Sequence, residues 1–273
     1  MAYDTGSVAS MRLGITLPQF RSDPEPALAV ARSADQVGLD GVFVFDHLWP
    51  LGQPHRPALH SYELLAAIAV ETSSISVGTL VARVGLLPDA LFVHALLTLH
   101  QIAGSRLVAG LGTGDLANRD ENLAYGLDFA PMAERRARLV TCCRSLSEAG
   151  LTTWVAGLSP AARRSAVAGG ARGWNGWGLD VASFATAATE LAGTGIEPTW
   201  AGQVLIGRTR EEADAKRAEH GTRPGLVWGT ADDLRRHLDD LRAAGATWAV
   251  CAPLDVGRDP LVAETLALAA AGR

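Results

Sequence analysis

The chain has 273 residues, 48% of them apolar, and a net charge of −5. That length suits one large domain and sits close to the roughly 250 residues of a β/α barrel. No apolar run approaches the ~20 residues that a membrane helix needs, and the basic residues, almost all Arg, are spread along helices rather than clustered, which argues against nucleic acid and leaves a small molecule as the partner. The seven histidines show no metal-ligand spacing, so no metal is expected. Cys142, Cys143 and Cys251 make no even framework and read as reduced thiols of a cytoplasmic protein. The opening "MAYDTGSVAS" lacks the basic start and apolar centre of a signal peptide. The expected organisation is a disordered tail over 1–11 and a single domain over 12–273.

Strand-like runs alternate with helical periodicity. The runs are Arg12–Leu17, Gly41–Phe45, Ile75–Val81, Arg106–Leu111, Thr152–Val155, Ala171–Trp174, Thr199–Ile206 and Thr247–Ala252, eight in all. After the first, Ala27, Val30, Ala31, Ala34 and Val37 form one apolar stripe that Gly38 stops. Further helices are expected over Ser61–Thr72, Asp89–Ala103, Met132–Ala149, Pro160–Gly169, Asp180–Ala192, Arg210–His220 and Pro260–Ala270. Another stripe, Leu234, Leu238 and Leu241, is opened by Thr230 as N-cap with Asp233 three residues on, a variant of the capping box. Alternation of this kind implies parallel pairing with right-handed crossovers, and eight units favour a closed (β/α)8 barrel over an open sheet. The connection from Gly112 to about Pro131 is long enough to be functional or to carry a small element of its own.

A barrel of this type places its active site at the C-terminal ends of the strands. The second run ends abruptly in Asp46 and His47. The fourth opens into "GTGDLAN", Gly112 to Asn118, and the fifth into "AGLSP", Ala156 to Pro160. Gly112 and Gly114 let a ligand approach the main chain. Ser159 with Pro160 reads as the N-cap and first residue of a helix, a start that can hold phosphate on free N–H groups. Taken singly these are a turn, a cap and a satisfied pair; their shared place on one rim is what suggests a site.

The ordered combination "RLGITLPQF", "GLDGVFVFDHLWP", "SISVGTLVARV", "RLVAGLGTGD…ENLAYGLDF…ERRARL", "GWNGWG", "PTWAGQVLIGRTREEA" and "GTADDLRRHLDDLRAAGATWAV" resembles the luciferase-like flavin and deazaflavin oxidoreductases from about Arg12 onward. The resemblance implies a bacterial luciferase-like (β/α)8 (TIM) barrel, and it is nearest to the branch using coenzyme F420, an 8-hydroxy-5-deazaflavin. In that branch Asp46 would contact the deazaflavin and His47 would face the reactive carbon and take a proton from a substrate hydroxyl. Leu80–Val81 would carry a non-prolyl cis peptide behind the ring. Thr113, Asp115 and Asn118 would lie at the ring, Asp115 as the acid, and Gly157, Leu158 and Ser159 would cradle the phosphate. A homodimer paired through the helices expected at Ser61–Thr72 and Asp89–Ala103 is also implied.

Sugar-phosphate dehydrogenases of this branch have Glu where Asp115 stands and use Lys for the phosphate, whereas Lys216 is the single lysine here. The expected activity is therefore hydride transfer between F420 and a small neutral or apolar substrate. The alternatives are an FMN-dependent monooxygenase using oxygen, a non-catalytic flavin-binding barrel, and an unrelated barrel enzyme such as an aldolase, which would want a strand-end Lys or paired carboxylates.

Overall fold

A computed structural model describes residues 11–270. The expected tail, Met1 to Ser10, lies outside the described residues, but Met11, placed in the tail by sequence, is buried in the core. Among the described residues there are nine parallel strands: β1 (Arg12–Thr16), β2 (Gly41–Val44), β3 (Ser76–Arg83), β4 (Leu107–Gly112), β5 (Thr152–Ala156), β6 (Gly173–Trp177), β7 (Glu197–Gly207), β8 (Val227–Thr230) and β9 (Trp248–Pro253). Strands β1 to β7 pair in sequence order, and β9 lies between β7 and β1, closing an eight-stranded barrel. The eight runs read from sequence correspond to these eight barrel strands.

Strand β8 was not expected. It pairs only with the last four residues of β7, Val204–Gly207, beyond the part of β7 that faces β6. A four-residue run containing Gly229 gives too short an alternation to be read locally. The sixth strand is also displaced. It was expected over Ala171–Trp174 but runs Gly173–Trp177, so Asn175 and Trp177 lie within it rather than after it.

The helices are α1 (Glu25–Gln36), α2 (Ser61–Glu71), α3 (Asp89–Ala103), α4 (Arg119–Ala124), α5 (Met132–Glu148), α6 (Pro160–Ala168), α7 (Val181–Thr189), α8 (Arg210–His220), α9 (Ala231–Ala243) and α10 (Val262–Ala270). Neighbours pack around the barrel, α1 on α2, α2 on α3, α3 on α5 and α5 on α6. The stripe Ala27, Val30, Ala31 and Ala34 is the buried face of α1, and Leu234, Leu238 and Leu241 that of α9. The capping box at Thr230 and Asp233 forms as read, with the Thr230 N–H donating to Asp233 Oδ2 at 2.8 Å.

Two cores result from the alternation of side chains along each strand. Outward residues such as Leu13, Ile15, Val42, Val44 and Val155 pack under the helices. Inward residues fill the barrel: Phe43, Trp154 and Trp248 meet with ring centroids 5.4–5.8 Å apart, beside Val108, Ala201 and Val250. Burying an aromatic of this size is worth roughly 4–6 kcal/mol by area. Room for the rings is made by glycine. A Cβ at Gly41 would lie 2.9 Å from both Phe43 and Trp248, and one at Gly78 would lie 2.8 Å from Phe43 and 2.6 Å from the Val108 carbonyl.

All three cysteines are buried, and burial pushes the Cys142 thiol up to about 11, which leaves it unreactive. Among the described residues no helix is long and apolar enough to cross a membrane.

Candidate active site

The C-terminal mouth of the barrel holds a cavity of about 720 Å³. Its floor rests on the aromatic plug, since Leu80 belongs to the inner core and also lines the cavity, as do Val81 and Trp177 at the edge of that core. The Leu80–Val81 peptide is cis, at the residues the resemblance indicated, and the β3–β4 register shifts between Thr79 and Ala82 there.

The first wall is built by β1 and β2. Gln19, fully buried after β1, accepts from the Phe45 N–H at 2.5 Å and donates from Nε2 to the Phe45 carbonyl at 2.8 Å, so it continues the edge of β2 past its last ladder bond. The chain is thus tied to the wall through Phe45, just before Asp46 and His47. Phe20 stacks on Phe45 at 6.0 Å, and Trp177 meets Phe45 edge-on at 5.7 Å. Phe20, Phe45, Trp177 and His47 all line the cavity.

His47 and Asp46 part company here. His47 lines the cavity, whereas Asp46 does not. The Asp46 carboxylate accepts from the Ser61 hydroxyl at 2.7 Å and from the Arg83 N–H at 2.8 Å, while its carbonyl accepts from Arg83 Nε at 2.7 Å. Asp46, expected to contact the cofactor, thus sits in the wall, tying the end of β2 to β3 and α2.

A residue given no role by sequence stands behind His47. Glu121, in the first turn of α4 and 1% exposed, has Oε2 3.3 Å from His47 Nδ1 and 2.7 Å from Arg83 Nη2. Its Oε1 accepts from the backbone N–H groups of Leu48 and Trp49. Burial opposes ionisation of Glu121, but the His47 hydrogen bond, the Arg83 charge and the Leu48 N–H outweigh it and hold the carboxyl below the usual carboxylate range. The available signal was Arg83, a cation at the end of an apolar strand that must find an acid if buried. Nothing local says that the acid comes from 38 residues downstream.

The long connection does carry elements of its own, a 3₁₀ turn Leu116–Asn118 and α4. Arg135 of α5 pins its start by donating to the Thr113 and Gly114 carbonyls at 2.6 and 2.9 Å, and its end through the Ala130 carbonyl at 3.0 Å. Thr113, Asp115 and Asn118 all line the cavity. Asp115 is exposed and caps the turn, accepting from the Ala117 N–H at 2.9 Å, while its own N–H donates to Asn118 Oδ1 at 2.9 Å. That leaves Asn118 Nδ2 buried with no partner. Asn175 of β6 is its counterpart. Its Nδ2 donates to Thr199 Oγ1 at 3.0 Å and its Oδ1 is buried without a partner. A donor and an acceptor, both left wanting, thus line one cavity.

At the far end, Gly157, Leu158 and Ser159 join β5 to α6 and line the cavity. The Gly157 carbonyl accepts from Trp174 Nε1 at 2.8 Å and the Leu158 carbonyl from Arg163 Nη1 at 3.1 Å, so both are taken up by the protein's own donors. A Cβ at Gly157 would meet Ala162 Cβ at 2.7 Å. Ser159 caps α6, accepting from the Ala162 N–H at 3.3 Å. Among the described residues the N–H groups of Leu158, Ser159 and Ala161 have no protein partner. Arg136 of α5 also lines the cavity, and it forms no ion pair with an acid among the described residues.

A family model for luciferase-like monooxygenases matches residues 5–149. The chain belongs to this family. Similar curated proteins include the F420-dependent glucose-6-phosphate dehydrogenase of Kineococcus radiotolerans, 30% identical over 139 residues that cover 50% of this chain and 40% of the relative. That of Beutenbergia cavernae is 32% identical over 129 residues, covering 47% and 38%. The matched segment thus spans about two fifths of those relatives. Among solved structures, an F420-dependent secondary alcohol dehydrogenase in complex with an F420–acetone adduct superposes with TM-score 0.74 at 13% identity, covering 95% of this chain and 99% of that one. The EDTA monooxygenase of Chelativorans sp. BNC1 gives 0.77 at 15%, covering 96% and 94%. At such identities the structures establish the luciferase-like barrel and nothing finer.

The depressed Glu121 carboxyl has a consequence for acid stability in this luciferase-like chain. Its folded value lies below the ~4.3 of an unfolded Glu, so its contribution is full above that pH and is lost as pH falls through the folded value. Glu121→Gln is expected to flatten the stability–pH curve in that acid window. Denaturant unfolding at a series of pH values checks this, and an unchanged slope would mean that the carboxylate gains nothing from His47 and Arg83.

Proposed function

We propose that the protein is an F420-dependent oxidoreductase that moves a hydride between the deazaflavin and a small neutral alcohol or carbonyl compound. The observation that carries this reading is the C-terminal cavity in which His47 shares the lining with the orphaned Asn118 Nδ2 and Asn175 Oδ1. A pyrimidinedione edge offers a carbonyl acceptor beside an N–H donor, which is the complement those two atoms lack. The N–H groups of Leu158, Ser159 and Ala161, with Arg136, suit the phosphate. Leu80, Val81 and Thr113 supply the surface on which the ring rests. The curated relatives named as F420-dependent support the same cofactor.

When bound, a deazaflavin supplies a two-electron hydride acceptor. His47 takes the hydroxyl proton of an alcohol, an imidazole being suited to that near neutral pH. Phe20, Phe45 and Trp177 exclude water from the reacting carbon. Asp115, at the exposed rim, is placed to receive or return a proton there. Asp46 holds the wall through Ser61 and Arg83 rather than touching the ring.

A neutral substrate follows from where the cations are spent. The single lysine, Lys216, lies 2.7 Å from Asp255 and 2.6 Å from Asp259 and does not line the cavity. Arg83 is paired with Glu121, and Arg136 is taken up at the phosphate end. Among the described Arg and Lys residues that line the cavity none is left for a sugar phosphate, the substrate class in the curated relatives' names.

Fluorescence titration of the purified protein with F420 and with FMN tests the cofactor. Tight binding of F420 alone supports the reading, whereas exclusive FMN binding with oxygen consumption favours the monooxygenase alternative, since FMN would use the same phosphate cradle and ring edge. Ser159→Asp sets a carboxylate against the phosphate and is expected to weaken binding about tenfold or more at low salt; unchanged affinity would remove the phosphate from this loop. His47→Ala is expected to bind cofactor as the parent does and to turn over roughly 10²–10⁴-fold more slowly, in a screen of secondary alcohols with glucose 6-phosphate as the contrasting substrate. Full turnover by His47→Ala would return His47 to a structural role.

The assembly we propose is a homodimer. Val70 on α2 and Leu91 and Ile102 on α3 are exposed apolar side chains on two adjacent helices. Light scattering at micromolar protein is expected to give twice the 28.6 kDa chain mass, and a purely monomeric species would rule the dimer out.

A further inference from the structure

We infer that Glu121 is a positioning residue that fixes neutral His47 as the Nδ1–H tautomer and leaves Nε2 as the basic nitrogen of the cavity. The geometry of the inference stands by itself; its catalytic consequence rests on the oxidoreductase reading.

The tautomer follows from an inventory of donors and acceptors. An ionised carboxylate only accepts, so the imidazole nitrogen facing it must be the one that carries hydrogen. His47 Nδ1 lies 3.3 Å from Glu121 Oε2. The carboxylate is held from four directions: Leu48 N–H and Trp49 N–H on Oε1, Arg83 Nη2 at 2.7 Å and the imidazole on Oε2. Leu48 N–H and Trp49 N–H fill Oε1, while Oε2 takes the imidazole and the Arg83 charge, Nη2 meeting it as an ion pair without hydrogen-bond geometry, so turning the group would leave buried backbone donors unpaired. Arg83 is itself anchored, Nε on the Asp46 carbonyl at 2.7 Å and Nη1 on Asn122 Oδ1 at 3.3 Å. Asp46 does not compete for the ring, because its oxygens accept from Ser61 and Arg83. The Phe20 ring lies beside the imidazole, with centroids 6.4 Å apart. No protein group contacts Nε2 among the described residues.

The consequence is directional. In oxidation of a secondary alcohol the C–H bond would break with its electron pair leaving as hydride, for which a bound deazaflavin would be the acceptor. The O–H bond breaks, its proton passes to the Nε2 lone pair, and the oxygen electrons form the carbonyl π bond. His47 ends as imidazolium, with its new charge next to the Glu121 carboxylate. The opposite tautomer would present an N–H to the hydroxyl and could not accept the proton.

The test needs neither cofactor nor substrate. Long-range ¹H–¹⁵N correlation spectra of the ¹⁵N-labelled protein, at a pH where the ring is neutral, report which nitrogen of each histidine carries hydrogen, and the signals lost in His47→Gln assign this one. The expected result is hydrogen on Nδ1. In Glu121→Gln the amide oxygen stays on the Leu48 and Trp49 N–H groups, the amide NH₂ faces the ring, and the hydrogen is expected to move to Nε2. The same variant is expected to keep its cofactor dissociation constant within about threefold while kcat falls on the order of 10²-fold. Hydrogen on Nε2 in the parent overturns the inference, and so does an unchanged tautomer in Glu121→Gln. If that variant does not fold, the parent spectrum alone decides. A protein that shows the Nδ1–H form yet binds no deazaflavin or flavin keeps the inference and sinks the functional reading, so the two fail separately.

Discussion

The packing of Phe43, Trp154 and Trp248 inside the barrel is the constraint on which the rest of the molecule depends. Three large rings from β2, β5 and β9 meet at the axis, and they do so only because β2 and β3 present glycine at 41 and 78 to them. The plug closes the barrel and serves as the floor of the cavity through Leu80, Val81 and Trp177. Any ligand is thereby confined to the C-terminal mouth, where the strand ends deliver His47, Thr113, Gly157 and Asn175.

Above that floor the site is held by buried charge rather than by apolar packing. Asp46, Arg83 and Glu121 come from the segment after β2, the end of β3 and α4, each nearly inaccessible to solvent. Removing one partner of such a set leaves an uncompensated buried charge, a cost of about 3–5 kcal/mol. The network therefore fixes the loop after β2 to the insertion after β4 with little freedom, and His47 inherits that rigidity. Arg135 does the same for the other end of the insertion. The loops carry the site, as is usual for this architecture, but here each is braced by a named side chain.

The polar groups left without partners mark where the chain stops serving its own stability. Asn118 spends its oxygen on the Asp115 turn and keeps an idle amide; Asn175 spends its amide on Thr199 and keeps an idle oxygen. The N–H groups opening α6 are similarly unspent. Buried polar atoms without partners are costly, and their convergence on one cavity is what gives the functional reading its physical content.

Much of this was legible from sequence, for reasons that lie in local physics. Strand and helix alternation shows in side-chain period, so the eight barrel strands, the α1 and α9 stripes and the Thr230 capping box follow from short windows. Rim residues follow once the barrel is granted, because they sit at strand ends; His47, Asp115, Asn118 and Gly157–Ser159 all line the cavity. Three things could be decided only in three dimensions. Strand β8 exists because β7 overruns its barrel neighbours and offers an edge, which no four-residue pattern can announce. The sixth strand moves to Gly173–Trp177 because its register is set by β5 and β7, not by its own apolar content. Asp46 and His47, adjacent in sequence, lie in different surroundings, one bonded into the wall by Ser61 and Arg83 and one lining the cavity beside Glu121. Length, composition and periodicity determined the barrel and its rim; the pairing of charges 38 and 74 residues apart, which sets the chemistry of the histidine, is a long-range contact that only the closed fold creates.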